Sequence, residues 1–129
     1  MQVIISLSGD GLYYAIPQHD LGIGFFGSGR SIDDAKLDLQ NSYEEARQLE
    51  SGLPDSVTFQ YYYDISCFIK YFSKRYSMGF LHTLTGIPLY KLEEYAKGKA
   101  TPTEKFARKF IERVNNFKEE INEYELSQL

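Results

Sequence analysis

The chain has 129 residues, of which 43% are hydrophobic and 25% charged, with a formal net charge of −4. This composition fits a folded protein of one or two small domains and excludes a disordered or low-complexity chain. No apolar run approaches the ~20 residues of a membrane-spanning helix, no basic segment leads into an apolar block as in a signal peptide, and the single Cys67 excludes an internal disulfide framework, so a cytoplasmic protein is expected. The charge is unevenly spread. Residues 1–63 carry three basic and nine acidic side chains, a net −6, whereas residues 64–113 carry ten basic and five acidic ones, a net +5. Phosphate would repel the first segment and attract the second. The split predicts two modules with different partners, residues 1–63 and 64–129.

Val3–Leu7 and Leu12–Ile16 read as β-strands joined by Ser8-Gly9-Asp10-Gly11, a hairpin signal. Pro17 ends the second strand, and Ile23–Phe26 reads as a third. Ser31 to about Leu49 is a helix opened by a capping-box-like Ser31/Asp34 pair, with Ile32, Ala35, Leu39, Tyr43, Ala46 and Leu49 on one face. Ser51–Asp55 breaks the chain, and Val57–Tyr63 reads as a fourth strand. The first module is therefore βββαβ.

Asp64 caps the next helix, in which Ile65, Phe68, Ile69 and Phe72 recur at helical spacing. Ser77 caps a short helix whose apolar Phe80, Leu81 and Leu84 stop at Gly86, a residue that permits a tight turn. Pro88 suits the first turn of a following helix, and Leu89, Leu92 and Ala96 repeat until Gly98 closes it. Two short helices around a glycine turn bury little alone; their usual use is to hold the second helix toward a DNA groove. Thr101-Pro102-Thr103-Glu104 reads as a capping box with proline at the first helical position, opening a helix to about Glu125. Phe110, Val114, Phe117, Ile121 and Tyr124 form a heptad-like seam. That seam is either packed on its own domain or, because the helix outruns one small core, the contact between two copies. The fold class is α+β: a sheet module followed by an all-α module with a long C-terminal helix.

Other signals weigh toward structure. Gly22-Ile23-Gly24-Phe25-Phe26-Gly27 matches a dinucleotide fingerprint, but the helix starts after the motif and no acidic residue follows on a second parallel strand. These glycines fit a loop or a bulged strand instead. His19 and His82 lie in different modules without metal-ligand spacing, and Cys67 reads as a packing residue. Asp33, Asp34 and Asp38 resemble a nuclease carboxylate set, yet acids at a helix start also favour the dipole. Of Phe25, Phe26, Tyr61, Tyr62 and Tyr63, half are expected in the core and half in a partner-binding patch. No catalytic residue, metal or cofactor is expected.

Two resemblances cover most of the chain. Gly11-Leu12-Tyr13-Tyr14-Ala15-Ile16-Pro17, Leu21-Gly22 and Gly29-Arg30-Ser31-Ile32-Asp33-Asp34-Ala35 resemble the HicB antitoxin domain. Ser31, Asp33 and Asp34 stand for that family's threonine and two glutamates, and Ile23 for its usual cysteine. Leu81, Gly86, Ile87, Leu92, Gly98, Lys99 and Pro102 are similar to the XRE-type helix-turn-helix, with His82 where a small alanine is usual. The resemblances imply a partial ribonuclease-H-like sheet followed by a DNA-binding module. They also imply a non-enzymatic antitoxin that neutralises a small basic HicA-like toxin cleaving messenger RNA, and that represses its own operon as a homo-oligomer joined by the C-terminal helix. A stand-alone XRE-type regulator whose first domain senses a ligand or protein is the alternative. In the XRE pattern the groove-facing positions fall on Leu89, Tyr90, Lys91 and Glu94; Lys97, Lys99 and Thr101 would meet the DNA backbone, as would Lys70, Lys74 and Arg75. Glu94 suits phosphates only if it accepts from a cytosine amino group.

Overall fold

The computed structural model describes residues 1–19, 24–49, 52–124 and 126–127, and these form a mixed α+β protein with a four-stranded sheet and five helices. β1 (Gln2–Leu7) pairs antiparallel with β2 (Tyr13–Pro17), which pairs antiparallel with β3 (Gly27–Gly29). The helix α1 (Ile32–Leu49) then carries the chain across to β4 (Gln60–Tyr63), which lies parallel to β1, giving the order β3-β2-β1-β4. The hairpin forms as its sequence demands. Gly11 has φ 83°, and the Leu12 N–H donates to Asp10 Oδ1 at 2.9 Å while Tyr14 Oη donates to Asp10 Oδ2. These bonds hold the Asp10 carboxyl below its ordinary pKa, the Leu12 N–H contributing most.

Period-two alternation places Val3, Ile5, Leu7, Tyr13 and Ala15 on one face, where they meet Ala35 and Leu39 of α1. Each large aliphatic side chain buried there contributes about 1.5–3 kcal/mol. Ser31 caps α1 by accepting from the Asp34 N–H at 3.0 Å.

Two strand expectations need correction. Ile23 lies outside the described residues, Gly24–Phe26 are not in a strand, and β3 is Gly27–Gly29. Its position follows from close approach to α1: a Cβ on Gly27 would come within 2.3 Å of the Ala35 carbonyl oxygen, and one on Gly29 within 2.5 Å of Asp34 Cβ. Only glycine lets a strand lie so near the helix. The fourth strand is shorter than Val57–Tyr63, because its ladder with β1 begins at Gln2↔Gln60.

The remaining helices are α2 (Ile65–Phe72), α3 (Met78–Thr85), α4 (Leu89–Ala96) and α5 (Glu104–Asn122). α5 also departs from expectation. Its cap is Thr103, whose hydroxyl accepts from the Phe106 N–H at 3.3 Å, so Pro102 precedes the helix, which ends at Asn122. Phe106 and Phe110 pack against the helical core. That second core gathers Ile69, Leu81, Ile87, Leu92, Tyr95 and Phe110.

α2 serves both cores. Cys67 is buried with the sheet residues and Ile69 with the helices. Asp64 fixes the junction: its N–H donates to the Ile5 carbonyl, and its carboxylate accepts from the N–H groups of Cys67 (2.8 Å) and Leu7 (3.2 Å). Among the described residues, no helix is long and apolar enough to cross a membrane.

Candidate nucleic-acid interface

The unit from α3 to α4 is held by a small set of polar contacts around a buried plug. Ser77 Oγ accepts from the Phe80 N–H at the start of α3. At its end, Gly86 takes φ 74° and donates its N–H to the His82 carbonyl, the left-handed exit that glycine allows. Thr85 is fully buried, yet its hydroxyl donates to the Leu81 carbonyl at 2.7 Å and accepts from the Ile87 N–H. Ile87 plugs the core immediately after the turn. His82, the departure from the helix-turn-helix pattern, stays exposed and places Nδ1 2.7 Å from the Ile87 carbonyl oxygen, which requires the proton on Nδ1. The ring thus spans the turn instead of separating the helices.

Pro88 is the N-cap residue of α4, one position earlier than its expected first-turn place, with ψ 144°. Leu92 and Tyr95 point into the core. Leu89, Tyr90, Glu93, Glu94 and Lys97 are exposed and share one face by helical spacing. The structure therefore brings together four of the expected site residues, Leu89, Tyr90, Glu94 and Lys97. Lys91 lies on the flank of that face, its Nζ 4.6 Å from the centre of the Phe106 ring at the start of α5. Lys99 and Thr101 are exposed on the connection that follows, and Thr101 also lines a cleft toward β4.

The other basic residues divide. Lys74 and Arg75 are exposed on the α2–α3 connection, with the Arg75 guanidinium 3.9 Å from the centre of the Tyr71 ring. Lys70 is half-buried with Nζ 5.1 Å from the centre of the Tyr13 ring, so it stitches α2 to the sheet. Lys109 belongs to no motif in the sequence. It brings Nζ to 3.6 Å from where a Gly86 Cβ would stand, adding a cation beside the turn.

Gly98 has a second role that the sequence concealed. Beyond its φ of 70°, a Cβ there would stand 2.7 Å from the Ser8 carbonyl oxygen. The exit of α4 thus rests on the β1–β2 hairpin.

The acidic module shows local uses for its carboxylates. Asp38 Oδ2 accepts from the Ser28 N–H at 2.8 Å, and Asp33 and Asp34 occupy the first turn of α1. Among the described residues no group of His, Cys, Asp and Glu could hold a metal ion. Burial pushes the Cys67 thiol far up from its ordinary pKa, helped by the charge of Asp64, and its Sγ lies 3.4 Å from the Ile5 carbonyl oxygen. Of the aromatic set, Phe25 and Tyr61 pack on the sheet core, while Phe26, Tyr62 and Tyr63 are exposed. Lys36 donates to Tyr63 Oη at 2.7 Å and lies over the Tyr61 ring.

Comparison with protein-family models, curated proteins and solved structures finds no match to this chain.

Proposed function

We propose that the protein is a HicB-like antitoxin: a βββαβ module of partial ribonuclease-H-like type joined to an XRE-type helix-turn-helix, masking a small basic toxin and repressing its own operon. The observation that carries this reading is the α4 face. Leu89, Tyr90 and Lys97 are presented outward from a glycine-turned helix pair, with Lys91, Lys99 and Lys109 around it. Such a face offers aromatic and apolar contact to base edges and a basic rim to phosphates. Glu94 lies on the same face and would read a cytosine amino group. The net −6 of residues 1–63 complements a basic protein and repels nucleic acid, which assigns the two modules to different partners. The long helix α5 joins two copies on a palindromic operator.

A labelled fragment from upstream of the gene tests the DNA half by gel shift over a salt series. Affinity should fall steeply with salt, and Lys97→Ala or Lys99→Ala should each lower the log–log salt slope by about one unit. No shift at low salt would remove the DNA reading. Co-expression with a small basic protein encoded beside the gene tests the other half; toxicity that this chain does not relieve would remove the antitoxin reading.

A further inference from the structure

We infer that two copies of this chain join along the free edge of β4, forming one continuous eight-stranded sheet flanked by the α5 helices. This gives the assembly in the proposed function a specific surface, and it rests on that reading only in taking the protein to be an assembly of copies.

The two edges of the sheet differ. β3 is three residues long and pressed onto α1 through Gly27 and Gly29. β4 is Gln60-Tyr61-Tyr62-Tyr63, with no lysine, proline or glycine of the kind that blunts an edge against pairing. Its polarity follows from the ladder: Gln60 donates to the Met1 carbonyl and Asp64 to the Ile5 carbonyl. Backbone groups alternate along a strand, so Gln60, Tyr62 and Asp64 face β1 while the N–H and C=O of Tyr61 and Tyr63 face outward.

A cleft of about 640 Å³ opens beside this edge, with Tyr61, Tyr62 and Tyr63 on one wall and Ala107, Ile111, Val114 and Lys118 of α5 on the other. These α5 positions make a stripe at spacings of four and three, continued by Ile121, next to the stripe that sends Phe110 and Phe117 into the protein's own core. The seam read from the sequence is thus divided: Phe110 and Phe117 face inward, Val114 packs partly on the helical core beside the cleft, and Ile121 and Tyr124 are exposed.

The area fits a second copy. Tyr62, Tyr63, Ile111 and Ile121 are 44%, 47%, 52% and 50% exposed. With half-buried Val114 and the Lys118 stem they present on the order of 400 Å² of apolar surface per chain. At the apolar share of ordinary interfaces, a little over half, two such patches correspond to roughly 1,400 Å² buried in total, within the range of stable dimers. An antiparallel edge pair is also self-complementary under a two-fold axis. With the axis at Tyr62, Tyr61 of each chain exchanges both backbone hydrogen bonds with Tyr63 of the other, and the two Tyr62 residues face each other at a Cα separation of about 4.5 Å.

Light scattering behind size exclusion, without DNA, reads the mass. Wild-type protein at tens of micromolar should have the mass of two chains. Tyr63→Pro removes an outward N–H without touching the bonds to β1, and Ile111→Arg places a charge on the α5 wall. Each should halve the mass, whereas Tyr63→Phe should not. Tyr62→Cys under diamide should give a disulfide-linked dimer on a non-reducing gel. Circular dichroism checks folding, and Ile111→Arg stands on an exposed helix position should the proline variant unfold. A wild-type monomer would overturn the proposal. So would dimers that persist in folded Ile111→Arg, or a dimeric Tyr62→Cys protein that does not cross-link. None of these results depends on DNA binding, which the Lys97 and Lys99 variants read separately.

Discussion

Replacing Gly98 with alanine tests whether the helical module rests on the sheet as described. Two costs add at this position. The backbone sits at φ 70°, where an L side chain costs about 1–2 kcal/mol. The new Cβ would also stand 2.7 Å from the Ser8 carbonyl oxygen, 2.9 Å from its carbon and 3.1 Å from the Leu7 carbonyl oxygen. Those are backbone atoms of the hairpin and cannot swing aside, so overpacking adds about 1–3 kcal/mol. Gly86→Ala is the control. Gly86 has nearly the same φ, 74°, but its Cβ would meet only the flexible end of Lys109 at 3.6 Å. Urea unfolding should therefore show Gly98→Ala about 2–5 kcal/mol less stable than wild type and Gly86→Ala about 1–2 kcal/mol less stable. In thermal melts of a chain this size, each kcal/mol corresponds to about 3–5 °C. Equal losses in the two variants would mean that Gly98 has only its backbone angle to satisfy and that the α4 exit does not touch the hairpin.

Asp64→Ala removes the acceptor for the Cys67 and Leu7 N–H groups, and should cost about 2–4 kcal/mol in urea unfolding. Asp64→Asn, which keeps one acceptor oxygen, should recover part of that loss. The Cys67 thiol should resist a thiol-specific reagent at pH 8 in the folded protein and react fully in denaturant, because burial keeps it protonated. The same shift sets a pH dependence. The native thiol keeps its proton above the unfolded-state pKa of about 8.5, so the unfolded state binds fewer protons there and stability falls as pH rises. Above about pH 9 the wild-type slope should exceed that of Cys67→Ala by up to ~1.4 kcal/mol per pH unit; parallel slopes would refute the buried placement.

The legible parts of this fold are those set by neighbours in sequence. Ser31, Asp64 and Ser77 each accept from the N–H three residues on, and the turn at Gly86 takes the backbone angle its residue type suggests. The misread parts are governed by contacts across the chain. Hydrophobicity favoured Ile23–Phe26 as a strand, but closeness to α1 selects the Gly27–Gly29 backbone, and no local pattern reports that approach. Val57–Phe59 have strand composition but fall short of the β1 ladder. At α5 both Thr101 and Thr103 precede the helical run, and Thr103 is the one whose hydroxyl accepts from the helix N-terminus.

The expected site shows the same division and gives it a mechanical meaning. Helical spacing sufficed to gather Leu89, Tyr90, Glu94 and Lys97 on one face, because α4 is a single helix. Spacing could not say that Lys91 leans to Phe106, that Lys70 is committed to Tyr13, or that Lys109 comes to the turn, since each depends on a distant element. These same contacts bind the two halves. Cys67 lies in the sheet core and Ile69, two residues on, in the helical core, while Lys70 and Gly98 touch the hairpin. A helix anchored on two sides cannot rotate about its axis without opening one of the cores. The α4 face is therefore oriented relative to β4 by packed contacts along α2 and at Gly98, so in the proposed β4-joined dimer the spacing of the two α4 helices would follow from how the sheets meet.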